Sequence, residues 1–124
     1  MKVSIGCDHG GYDLKEKVKA HLIEKGIEVV DFGTNDLSSC DYPDFGIEAA
    51  KAVANNEVDK GIVICTTGIG ISIAANKVKG IRCALCSDLT SARLTREHND
   101  ANVLALGAAI IGHLVALDIV DVFL

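Results

Sequence analysis

Five short apolar runs, each followed by a stretch with helical spacing, constrain this chain more than any other feature of it. The runs are "KVSIGC", "IEVVDFG", "GIVIC", "RCALC" and "NVLALG", and all suit buried strands. After the first, Leu14, Val18, His21 and Leu22 repeat at helical spacing, and Gly26 is placed to cap that helix. Pro43 to Asn55 reads as a helix with proline in its first turn. A third helix is predicted from about Gly70 to Val78, a fourth from Leu89 to about Glu97 with Asp88 as its cap, and a fifth from about Gly112 onward. Five strand–helix pairs predict an α/β protein: a doubly wound, five-stranded parallel sheet in a Rossmann-like three-layer sandwich. The order 2-1-3-4-5 is common at this size. It sets strands one and three side by side at the switch point, and ligands of such folds bind beyond the carboxyl ends of the strands there.

The length of 124 residues is that of one domain, expected to span 1–124. The net charge is −5, no basic run occurs, there is no tryptophan and aromatic residues make up 4%. Nucleic acid needs clustered cations and stacking platforms, so it is not expected as a partner. The start "MKVSIGCDHGG" lacks the apolar core of a secretion signal, and no stretch approaches the ~20 apolar residues of a membrane span. A cytoplasmic protein without a membrane partner is the expectation. Five cysteines, odd in number and mostly within apolar runs, suit reduced thiols.

One of these thiols stands apart. Cys65 ends strand three, directly before "TTGIGIS". The amides from Gly68 to Ser72 open the next helix, and such a terminus favours an anion. The same positive end stabilises a thiolate beside it. A base next to an oxyanion hole is one reading of Cys65; a buried strand cysteine before an ordinary turn is the other. Asp8 and His9 end strand one on the same rim. They could orient a hydroxyl or move a proton, or Asp8 could simply cap the helix that follows. His98 and Asn99, in "REHND", follow a helix that runs ~15 Å back from the rim. They should therefore lie at the other end of the sheet from Cys65, and could reach such a site only from a second chain. Cys83 and Cys86 form C-x-x-C within strand four, where a three-residue offset points them to opposite faces; a shared metal or disulfide is not expected. Cys7 and Cys40 read as core or loop thiols, and His21 and His113 as structural. A dinucleotide fingerprint fits Gly68 and Gly70 but finds Ile73 in its third place. A cysteine phosphatase loop would need arginine where Ile71 stands.

"GCDHGGYDLKEKVKAHL", "VVDFGT", "DYPDF", "CTTGIGISIAANKVKGIRCALCSD" and "TREHNDANVLALGA" together resemble ribose-5-phosphate isomerase type B, a family that includes the galactose-6-phosphate isomerase subunits. The resemblance covers almost the whole chain. It implies a cofactor-free, metal-free aldose–ketose isomerase acting on a sugar phosphate through an enediolate. Carried over by position, Cys65 would be the base that moves a proton between the first two sugar carbons. Thr67 and the amides of Thr66, Gly68, Ile69 and Gly70 would hold the enediolate oxygen. Asp8 and His9 would bind the sugar, with His9 near the phosphate, and Tyr42 would line the pocket. His98 of a partner subunit would open the furanose ring, with Asn99 binding substrate beside it, in a homodimer or tetramer with shared sites. Two departures accompany the resemblance. Ala109 stands where the family usually has arginine, and the family's C-terminal arm, with further arginines, lies beyond Leu124. They keep two alternatives to ribose 5-phosphate in view: a 6-phosphohexose substrate (galactose or allose 6-phosphate), and a non-catalytic sugar-phosphate-binding subunit.

Overall fold

The apolar runs assemble as parallel strands. The structure, a computed structural model, describes residues 1–34 and 42–124, with only the backbone of residues 42 and 43. Strands β1 (Lys2–Cys7), β2 (Glu28–Asp31), β3 (Lys60–Cys65), β4 (Cys83–Leu85) and β5 (Val103–Gly107) alternate with helices α1 (Tyr12–Glu24), α2 (Tyr42–Ala54), α3 (Ile69–Asn76), α4 (Leu89–Asn99) and α5 (His113–Phe123). A short 3-10 turn, His9–Gly11, precedes α1. All strand pairs are parallel.

The sheet order is β2-β1-β3-β5-β4. The doubly wound class and the β1–β3 pairing are as expected, but the last two strands are exchanged relative to 2-1-3-4-5. The reason lies in their burial. Every residue of β5 is buried, which suits a strand with neighbours on both sides. β4 is three residues long, half-buried, and ends on the exposed Leu85, which suits an edge.

Alternation along the strands divides the core in two. Val3, Ile5, Cys7, Ile62, Ile64, Leu104 and Leu106 face α1 and α5. Val63, Cys65, Val103 and Ala105 face α2 and α3, whose contributions include Ala49, Ala50, Ala52 and Ala75. Small residues on that side let α2 lie close enough for the Ser4 hydroxyl to donate to Ala49 O at 2.9 Å. Cys83 belongs with the α2/α3 side and Cys86 with the α1/α5 side. They do point to opposite faces, although β4 ends before Cys86. The α1 carboxyl end closes with Gly26 at φ +79°, while Gly26 and Ile27 N–H donate to Ile23 O and Leu22 O. His21, half-buried, ties α1 to α5 through Asp121 at 2.8 Å.

Candidate active site

Three chain segments converge at the carboxyl edge of β1, β3 and β5. Asp8 N–H donates to Ile64 O at 3.2 Å, joining the end of β1 to the end of β3. Ala108 and Ala109 N–H donate to Cys65 O and Thr66 O, both at 2.9 Å, joining the loop after β5 to the same place. A side chain at Gly10 would collide with Thr66 Oγ1, so the two loops pack directly.

Cys65 is buried, 5% exposed, whereas Thr66, Thr67 and Ile69 beside it are exposed. Gly68 N–H donates to Cys65 Sγ at 3.1 Å, and a donor aimed at sulfur is what a thiolate in that position requires. Burial pushes the thiols of Cys7 and Cys83 up to about 12 and that of Cys86 up to about 11, which keeps them protonated and inert at neutral pH. Ile69 N–H donates to Thr67 Oγ1 at 3.2 Å. Two of the amides expected to face an oxyanion therefore already have acceptors. The next first-turn amide, that of Gly70, has no acceptor within its helix.

Gly68 makes this turn possible. Its φ is +81°, and a Cβ there would lie 2.5 Å from Leu85 Cδ1 and 2.9 Å from the Leu106 carbonyl carbon. Gly68→Ala is expected to cost at least about 1–2 kcal/mol from the left-handed backbone alone, read as a lower urea midpoint at unchanged slope. An unshifted midpoint would contradict this geometry.

Asp8 is buried, and its Oδ1 accepts the Gly11 N–H at 3.1 Å, so it caps the short 3-10 turn and not α1, whose cap position, Gly11, carries no side-chain bond. His9 is exposed on the same rim. Residue 40 and the side chain of Tyr42 lie outside the described residues, as does Tyr42's expected place in the pocket. A cleft of about 370 Å³ adjoins the rim, lined in part by Gly10, Lys17, Ala109 and His113. Lys17, which the sequence did not single out, and His113, read from it as structural, both line this cleft.

His98 and Asn99 are elsewhere. Both are exposed at the end of α4. Asn102, three residues beyond Asn99, accepts the Gly61 N–H at 3.0 Å, at the amino end of β3. Gly61 is four residues and so ~13 Å from Cys65 along that strand. The expected separation within one chain is therefore present. No group of three or more His, Cys, Asp or Glu residues among those described could hold a metal ion, and no described helix is long and apolar enough to cross a membrane.

Fold and site together define a class: doubly wound α/β proteins with a donor-bound thiol and a helix amino terminus at the switch point. Within it, a model of the ribose/galactose isomerase family matches residues 3–124, and the chain belongs to that family. Ribose-5-phosphate isomerase B of Escherichia coli strain K12 is 53% identical over 123 residues, covering 99% of this chain and 83% of that one. The solved structure of Clostridium thermocellum ribose-5-phosphate isomerase B matches with a TM-score of 0.98 at 58% identity, over 99% of this chain and 83% of that one. Ribose-5-phosphate isomerase B from Mycoplasma genitalium, solved with bound ribulose-5-phosphate, gives 0.94 at 42% identity, over 98% and 82%.

Proposed function

We propose that this chain, as a single sugar-phosphate isomerase domain, interconverts ribose 5-phosphate and ribulose 5-phosphate. The observation that carries the reading is the Gly68 N–H aimed at Cys65 Sγ where α3 begins. Cys65 as thiolate takes the proton from C2 of the open-chain aldose. The electron pair moves to the C1 carbonyl oxygen, giving an enediolate; the proton of the C2 hydroxyl passes to that oxygen as the C2 carbonyl forms, and the Cys65 thiol, whose proton exchanges with water, protonates C1. Thr67 and the Gly70 N–H, which has no acceptor within its helix, face the oxygen on which charge develops, while the Gly68 N–H steadies the Cys65 sulfur, so these hydrogen bonds strengthen toward the transition state. Asp8 and His9 hold the sugar, with His9 toward the phosphate. The step is a proton transfer within one substrate and consumes no cofactor. Relatives named ribose-5-phosphate isomerase B, one solved with ribulose-5-phosphate, favour this substrate over a 6-phosphohexose and over a non-catalytic subunit.

Ring opening needs a proton donor at the furanose oxygen, and His98 of a second subunit is assigned that role, with Asn99 beside it. The active unit is then a homodimer, or a tetramer built from such dimers. Ribulose 5-phosphate has its C5 hydroxyl esterified and is acyclic, so exchange of its C1 hydrogen with D2O bypasses the ring. His98→Ala is expected to slow conversion of ribose 5-phosphate about 10²-fold while exchange of ribulose 5-phosphate continues near its wild-type rate. Equal loss of both would remove the ring-opening role. Absence of any interconversion by the intact chain would remove the isomerase reading itself.

A further inference from the structure

The turn from α4 to β5 is held far more firmly than an exposed connection requires. Arg82 Nε donates to Asn99 O at 2.6 Å. The Arg82 N–H donates to Asn102 Oδ1 at 2.9 Å, and Asn102 Nδ2 donates to Gly80 O at 3.0 Å. From the other side, Arg96 Nη1 donates to Ala101 O and lies 3.3 Å from Asp100 Oδ1. Asp100 takes the left-handed conformation at φ +51°, and its N–H and that of Ala101 both donate to Thr95 O. Asn102 O then accepts from Gly61 at the start of β3. Every residue from Asn99 to Asn102 is thus tied through its backbone.

The side chains that this turn presents are treated in the opposite way. His98 and Asn99 are exposed, and neither has a hydrogen bond or ion pair from its side chain among the described residues. A fixed backbone carrying two unengaged polar groups is preorganised for another molecule, since rigidity there removes ordering costs at the moment of contact.

We propose that Arg82 is a positioning residue acting across the subunit boundary: by holding the Asn99 carbonyl it aims His98 and Asn99 of its own chain into the Cys65 site of the partner. This rests on the shared-site reading above. Arg82 touches no substrate, and its effect is on geometry, where an error of an ångström can cost about 10²-fold in rate. Arg82→Ala should lower kcat by ~10–100-fold with a smaller change in KM. Arg82→Gln sets its amide nitrogen where Arg82 Nε stands, and should restore most of the rate without the charge. A simple helix-end cap would lower the melting temperature in Arg82→Ala, recover it in Arg82→Gln and leave kcat alone in both.

The deciding experiment uses mixed dimers, obtained by co-expressing two differently tagged chains. A Cys65→Ala chain paired with an Arg82→Ala chain contains one site with Cys65 from the second chain and an intact turn from the first. It should show about half the wild-type activity per dimer, one of two symmetric sites being whole. The control pairs Cys65→Ala with His98→Ala. If the control recovers and the Arg82 pair does not, Arg82 acts within its own site or on the whole fold, and the proposal is overturned. If the control itself stays inactive, the shared site is wrong and the proposal falls with it. Wild-type kcat in the Arg82→Ala homodimer would also overturn it.

Discussion

Cys65→Ala is expected to lower the rate of ribose 5-phosphate isomerisation by about 10²–10⁴-fold, the usual contribution of a positioned general base, while the chain stays folded. The stability side follows from the surroundings. Cys65 sits among small and β-branched residues of the α2/α3 core, so deleting one sulfur atom leaves a small void, costing on the order of 1 kcal/mol. The remaining amides and the Asp8–His9 rim persist, so the variant should still bind ribulose 5-phosphate. A coupled assay beside calorimetry separates the two effects. Full turnover in the variant would show that the base lies elsewhere. The other described thiols provide the contrast. Cys7, Cys83 and Cys86 are held protonated by burial, so their alanine variants should lose some stability and keep their rate. Among these four, an alkylating reagent at neutral pH should modify Cys65 first, and ribulose 5-phosphate should slow it.

What the sequence made legible depended on the range of the interaction involved. Gly26 and Asp88 could be read as helix ends because capping is decided within four residues. The structure has Gly26 at positive φ and the Ser91 N–H on Asp88 Oδ1 at 2.6 Å. The convergence of Asp8 and Cys65 was legible because parallel strands put their carboxyl ends together. The exchange of β4 and β5 was not, since neighbour choice in a sheet is a competition between distant segments. Its one trace is the contrast between "VLALG" and the shorter "CAL". The Cys65 turn was half legible: the glycines announced an open loop, but the closing of Gly68 N–H onto the sulfur and of Ile69 N–H onto Thr67 depends on dihedrals that residue types do not fix. The Arg82 bond to Asn99 joins residues 17 apart and left no periodic signal. The same is true of Lys15, which lies beside the apolar stripe Leu14–Val18–Leu22 and is fully buried.

That buried lysine carries the largest expected effect on stability. Lys15 Nζ lies 2.8 Å from Asp31 Oδ2 and 3.1 Å from Glu16 Oε1, with its side chain 0% exposed. Asp31 Oδ2 also receives Lys19 at 3.1 Å, and Oδ1 accepts the Gly33 N–H at 2.9 Å. Gly33 O in turn accepts the Cys7 N–H, so the network fastens the end of β2 to the end of β1 just before Asp8. Burial pushes the Asp31 carboxyl up, but the hydrogen bonds from Lys15, Gly33 and Lys19 outweigh it and hold the group below its ordinary 3.8. Burial likewise opposes the charge on Lys15, and its two carboxylate partners overcome that to raise it above 10.5. Asp31→Asn leaves a buried ammonium with only Glu16 and the face of the Tyr12 ring, and breaking a buried pair from one side costs ~3–5 kcal/mol; the surviving partners put the expectation at about 3 kcal/mol by urea denaturation. Lys15→Met combined with Asp31→Asn removes the stranded charge and should recover most of that loss, whereas additive losses would mean that the two side chains do not act as a pair. The pH dependence has a definite sign. A depressed aspartate binds fewer protons folded than unfolded near pH 4, so its stabilisation is complete above about pH 4 and is lost as pH falls through the folded value. The raised lysine contributes fully below about pH 10.5 and loses its share as pH rises through its own folded value. Wild-type stability should therefore fall more steeply below pH 4 than that of Asp31→Asn, and the two curves should converge in acid, where Asp31 is protonated and neither protein has the pair. Parallel curves through that range would mean that the carboxylate contributes nothing through its charge.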